Sequence, residues 1–340
     1  MMLQRRNAWL VIVMLLGNIT TFLLLAYFCP MALKRIWHAQ WLSFIEYDFG
    51  RLTRYLAVLL LCLTVEASVL GWHNCSLRRL LRPSLSARHD LVVALINASG
   101  FVGVVLIFFT FGTARLLPGA VHHFLRTEWL ASLQLPIVSY LVWSVVSDFV
   151  HYWHHRAMHT FKVFWELHKY HHAATELNML TGGRVHFVEK ASLLVCQSVP
   201  LALLGATVES FVYVAAARQV LELFQHSMVR WDFGWAGQWL VYSPVGHRIH
   251  HSPERQHWDC NFGNLLPIWD HMFGTWYQGT DVNETVGVSN NYLVTGSVWG
   301  GIITAYRRAV QEFWRSLITG RWIAEHIAEA RAERDRTDSR

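Results

Sequence analysis

Four stretches of the chain carry almost no charge. Twenty-seven uncharged residues run from Asn7 to Leu33, 23 from Tyr55 to Leu77 with Glu66 as the one charge, 24 from Leu91 to Ala114, and 19 from Trp129 to Ser147 with Pro136 inside. A hydrocarbon core of about 30 Å takes roughly 20 helical residues, so the pattern predicts four membrane-spanning helices. The first run is too long for a signal peptide and lacks a small-x-small cleavage site, which predicts a retained anchor. A fifth apolar stretch, Ala191 to Phe224, is interrupted by Glu209, Arg218 and Glu222. Pro200 and Gly205 can turn it back as a short apolar hairpin; a re-entrant pair, or one span plus a buried helix, also fits the pattern. Near the C-terminus, Val310, Phe313, Trp314, Leu317 and Ile318 recur at helical spacing, with Arg307, Arg308, Glu312 and Arg315 on the other face. That predicts an interfacial amphipathic helix followed by a charged, solvated tail.

Composition agrees with a membrane protein. Of 340 residues 53% are hydrophobic and 15% charged, against about 25% charged in soluble domains. Such a chain is too apolar to be disordered or to wrap nucleic acid, and a net charge of +6 demands no polyanionic partner. Seventeen Trp suit an aromatic belt at the membrane surface. The five cysteines are scattered, odd in number and without a CxxC, so reduced thiols are expected. With four spans, Lys and Arg divide evenly between the two sides before the fourth. Arg156, Lys162, Lys169, Arg184 and Lys190 then place everything after Ser147 in the cytoplasm, at a bacterial inner membrane or endoplasmic reticulum.

The 20 histidines change the picture. Fourteen fall within residues 151–271 and form ordered clusters: His155 and His159; His168, His171 and His172; His247, His250 and His251, with His226 standing between the second and third. Spacings of three and four put side chains on one helical face. Neutral imidazole suits Fe, Zn, Cu or Ni. Nine such nitrogens exceed one tetrahedral zinc and match two ions with open positions. Redox-active ions beside a membrane point to O2 activation next to a lipid, although spacing alone does not choose the metal.

With these residues in view, the chain resembles the fatty acid hydroxylase/sterol desaturase superfamily of membrane-bound di-iron oxygenases. Its D-x-x-x-Y-W-x-H-R-x-x-H box corresponds to Asp148, Tyr152, Trp153, His155, Arg156 and His159. The W-x-x-H-x-x-H-H box corresponds to Trp165, His168, His171 and His172, and the R-x-H-P-x-E element to Arg184, His186 and Glu189. Phe224–Ser227 matches F-Q-H-S-N, and Pro244, His247, Arg248, Ile249, His250, His251 and Ser252 match P-x-x-H-R-I-H-H-S. Asp259–Gly263 and Trp269–Thr275 complete the series. Phe187 and Met228 depart from the pattern, at its Pro and Asn.

The resemblance implies an all-α integral membrane protein of about four spans plus the apolar hairpin, with a cytosolic histidine-rich helical cap holding a di-metal site. Residues 1–130 would form spans and loops, 131–290 the di-iron domain, and 291–340 the amphipathic helix and tail. The eight box histidines and His226 would ligate two iron ions, with O2 as co-substrate. Asp148 is a candidate to accept the second N–H of a ligand imidazole, and Glu189, Asn261 and Asp270 are similar supporting candidates. His186 and His257 stand between ligand and supporting partner. The implied reaction is hydroxylation of an unactivated C–H bond of a bilayer lipid, with desaturation as the alternative outcome. A separate electron donor, cytochrome b5-like or ferredoxin-type, is expected. A metal transporter or a structural zinc protein is the reading from another class; transporter ligands should sit within spans, whereas these flank them.

Overall fold

A computed structural model describes residues 55–98, 136–206, 208–279, 285–289, 291–294 and 296–324. Every regular element among them is helical, and an isolated antiparallel bridge joins Phe161 to Ile323. A helix over 55–70 (α1) is followed by α2 (Ser76–Leu81), α3 (Leu85–Ala98), α4 (Pro136–Thr160) and α5 (Lys162–His172). Then come α6 (Phe187–Leu203), α7 (Val208–Gln225), α8 (Gly234–Trp239), α9 (Pro244–His250), α10 (Ile268–Met272) and α11 (Val298–Thr319).

The all-helical expectation holds, but the expected spans do not. No helix among the described residues is long and apolar enough to cross a membrane. The uncharged run Tyr55–Leu77 breaks where Gly71 takes a left-handed backbone (φ 73°) and the chain restarts at Ser76. Of the run Trp129–Ser147, the described part from Pro136 onward lies in α4, which continues into the histidine-rich segment up to Thr160. The run Tyr55–Leu77 carries a single charge, Glu66, yet its helix ends at a glycine rather than at a charge. The expected span Asn7–Leu33 lies outside the described residues, as does the expected span Leu91–Ala114 beyond Ala98. The apolar stretch after Ala191 does turn, at Gly205 (φ 76°), between α6 and α7.

Three helices fix the centre. Phe161 is extended and ends α4, so α5 folds back against it. Residues 322–324, beyond α11, hold this corner: Lys162 N–H donates to Trp322 O and Ala324 N–H to Thr160 O, both at 2.9 Å. α11 covers α5 from outside through small residues, with Gly301, Ala305 and Ala309 buried. A Cβ on Gly301 would lie 2.7 Å from Leu293 O and 3.0 Å from the Tyr170 ring, so the approach requires glycine there. The expected C-terminal amphipathic helix is thus present and starts nine residues earlier, with Val310, Trp314, Leu317 and Ile318 exposed. α6 packs on α4, and α7 on α4 and α9. The core beneath joins Val93, Tyr170, Leu293, Val298 and Ala305.

Candidate metal centre

Four elements deliver the imidazoles. α4 carries His155 and His159 one turn apart, and the C-terminal half of α5 carries His168, His171 and His172. His226 follows the end of α7. His247 and His250 lie on the short α9, with His251 at its C-cap. That helix starts where it does because Ser243 Oγ accepts from Gly246 N–H and Pro244 occupies the first turn.

All nine expected ligands meet. His155, His159, His168, His172 and His250 form one buried group, and His171, His226, His247 and His251 form a second. Within the first, Nε2 atoms stand 3.1 Å apart for His155–His168 and His168–His172, 3.2 Å for His159–His172 and 3.0 Å for His250–His155. In the second the distances are 3.3 Å for His226–His171, 3.0 Å for His247–His226 and 3.2 Å for His251–His247. The groups adjoin: the His172 and His251 rings stack with centroids 4.3 Å apart.

The tautomers make this arrangement a test of metal fit. His155 Nδ1 points at Phe262 O (2.9 Å), His250 Nδ1 at Cys260 O (2.8 Å), and His168 Nδ1 at a Glu189 carboxylate oxygen (2.7 Å). All three partners are acceptors, so each Nδ1 carries the proton and each Nε2 is left with a lone pair. Lone pairs therefore face each other at about 3 Å with no proton between His155, His168 and His250. A cation between them resolves the repulsion. At a metal–nitrogen distance of about 2.1 Å, imidazoles at right angles place their nitrogens about 3.0 Å apart and tetrahedral ones about 3.4 Å apart. The observed spacings fit that range.

Burial supports the same protonation state. Buried among apolar neighbours and one another, His155, His171, His172, His247 and His251 are held well below the ordinary histidine value. Burial brings His226 down to about 4 and His250 to about 3. The sign for stability follows. In the unfolded chain these rings titrate near 6.5, so below that pH the unfolded state binds more protons than the folded one. Metal-free protein is thus expected to be equally stable from pH 8 to about 7 and to lose stability steadily as pH falls from about 6.5 toward 4. Melting temperatures across that range check it; a curve that is flat, or that rises on acidification, contradicts the neutral-imidazole assignment.

The other candidate residues have separate places. Glu189 contacts His168 as expected of a supporting carboxylate. Asp148 touches no imidazole in hydrogen-bond range: it accepts from Leu265 N–H (2.8 Å), Leu266 N–H (2.9 Å) and the Trp269 indole (2.9 Å). Asp270 likewise accepts from Phe262 N–H and Gly263 N–H, both at 2.8 Å, and from the Thr275 hydroxyl at 2.7 Å. Asn261 sits at φ 59°, a left-handed conformation that Asn tolerates, donates to Gly246 O and accepts from Tyr277 N–H. These three residues shape the 259–266 loop whose carbonyls anchor His155 and His250. His186 caps α6 by accepting from Val188 N–H, and His257 bonds Ser252 Oγ at 2.9 Å; neither joins the two groups.

Sequence reasoning missed several partners. The Cys260 and Phe262 carbonyls are backbone atoms, which residue type does not reveal. Asp259 lies 3.6 Å from His159 Nδ1. Arg218, visible in the sequence as a charge inside an apolar run, donates to Asn264, Ser147 and His151 Nδ1. It ties α7 to α4 beside the first box.

Comparison with known proteins matches residues 140–275 to the family described as fatty acid hydroxylase. Residues 140–275 belong to the fatty acid hydroxylase family. That domain contains all nine imidazoles of the two groups. The chain is 29% identical over 177 residues to ornithine lipid hydroxylase of Rhizobium tropici, covering 50% of this chain and 51% of that protein. It is 28% identical over 185 residues to alkylglycerol monooxygenase of Danio rerio, covering 54% of this chain and 40% of that protein. The human alkylglycerol monooxygenase is 33% identical over 131 residues, 38% of this chain and 28% of that protein. The chain thus aligns with about half the length, or less, of these relatives. No solved structure matches it significantly.

Proposed function

We propose that this chain is an O2-dependent lipid hydroxylase whose fatty acid hydroxylase domain holds two iron ions, one in each imidazole group. The observation that carries this reading is the convergence of nine buried imidazoles in two adjoining groups, with the lone pairs of His155, His168 and His250 facing one another. The relatives that hydroxylate an ornithine lipid and act on an alkylglycerol support a lipid as substrate. Iron bound there supplies the oxidising chemistry that zinc, without redox states, does not.

The protein's share is binding and shielding. The imidazoles are buried, which keeps them neutral and keeps bulk water from the reacting carbon. Glu189 and the Cys260 and Phe262 carbonyls fix the ring orientations of His168, His250 and His155. Hydroxylation of R–H consumes O2, two electrons and two protons, and yields R–OH and water. The two electrons are assigned to a separate cytochrome b5-like or ferredoxin-type donor, and the lipid is taken from a bilayer.

Metal analysis of the purified chain should find two irons, with O2 uptake that requires both reductant and lipid extract. Lipids from cells expressing the protein should show a product heavier by one oxygen. One zinc per chain with no O2 uptake would sink the oxygenase reading, and loss of two hydrogens in the product would convert it to desaturation.

A further inference from the structure

The two imidazole groups are not held alike. In the five-histidine group three of the five outward nitrogens are anchored by hydrogen bonds and a fourth faces a carboxylate. His155 and His250 donate to the Phe262 and Cys260 carbonyls at 2.9 and 2.8 Å, His168 is held by Glu189 at 2.7 Å, and His159 Nδ1 lies 3.6 Å from Asp259. The four-histidine group has one such anchor, from His226 Nδ1 to Glu222 O at 2.9 Å. The Nδ1 atoms of His171, His247 and His251 are buried and have no hydrogen-bond partner among the described residues.

This contrast bears directly on how each group holds an ion. An outer partner fixes a ligand ring's tautomer and direction and raises its basicity; losing one costs about 10–100-fold in metal affinity. One group has its rings braced on two carbonyls and a carboxylate. The other has three rings fixed by packing alone and one ligand fewer. A buried cation stands on the weaker side as well: Arg184, paired with Asp90 at 3.1 Å, lies close enough to oppose positive charge at His171 and His226.

We propose that the four-histidine group is the exchangeable half of the centre, releasing its ion first, and that Glu189 is the positioning residue that keeps the five-histidine half loaded. This rests on the two-metal reading above. The readout is metal release, independent of turnover. The purified chain, loaded with two zinc(II) ions, is challenged with an excess of a chromophoric chelator and release is followed in time. One ion per chain should leave in a fast phase and the second at least about tenfold more slowly. His247→Ala should lose the fast ion and retain the slow one. Glu189→Gln, which keeps the shape of the side chain and removes its charge, should speed the slow phase by about tenfold and leave the fast phase unchanged.

The unsubstituted protein tests the asymmetry on its own, so a misfolded variant does not leave the proposal open. Release of both ions in a single phase overturns it, as does a Glu189→Gln effect on the fast phase. A protein that binds fewer than two ions overturns the two-metal function instead, so the two failures are told apart by stoichiometry.

Discussion

His250→Ala should lower product formation by more than about a hundredfold, beyond the cost of losing an outer partner to a ligand. His250 links three parts of the centre. Its Nε2 stands 3.0 Å from that of His155, its ring centroid 4.8 Å from those of both His159 and His172, and its Nδ1 is fixed on Cys260 O. The fold is expected to survive, because in metal-free protein the substitution removes a lone pair that faces another at close range. The discriminating measurement is the melting temperature with and without metal. Ligand at 100 times its dissociation constant stabilises by about 2.7 kcal/mol, so the parent protein should gain several degrees on loading and His250→Ala clearly less. Equal gains together with unchanged product would remove His250 from the ligand set.

Asp148→Ala is expected to be the most damaging substitution away from the imidazoles, costing about 3–5 kcal/mol. Its carboxylate is fully buried and receives two amide N–H groups and one indole N–H, all from the 265–269 segment. Alanine leaves those donors buried and unpaired, and it also leaves the half-buried Arg218 guanidinium without the carboxylate that offsets its charge. Against a total stability of about 5–15 kcal/mol, such a loss should unfold much of the protein at growth temperature. Chemical denaturation of the purified variant checks it. Asp148→Asn retains one acceptor oxygen and should cost less than alanine. Normal stability in Asp148→Ala, with only metal content reduced, would instead assign the carboxylate to the ligands' hydrogen bonding.

How much of this was legible in the sequence divides along local and non-local lines. His155/His159, His168/His171/His172 and His247/His250/His251 could be read because helical spacing is local and each cluster sits on its own helix. That the clusters meet was inferable from ligand chemistry, since single clusters leave an ion under-coordinated. The braces were not legible. Asp148 and Glu189 are both buried carboxylates near box histidines, yet one turns to a loop 117 positions away and the other to His168. Nothing in the residue type distinguishes them. The span count failed for a different reason. Counting uncharged residues ignores where a helix begins and ends, and Gly71 sets such a limit within the run at 55–77.

The carbonyl anchors at Cys260 and Phe262 have a consequence for the order of events during synthesis. His155 reaches its anchor across 107 positions and meets His250 across 95. A growing chain therefore displays its first five box histidines long before it contains the ligands and braces that complete either group. Metal capture becomes a late step, open only once the segment through Thr275 has been made and folded back. A ribosome-released fragment ending before Asp259 would carry all nine imidazoles and still lack the backbone atoms that orient two of them.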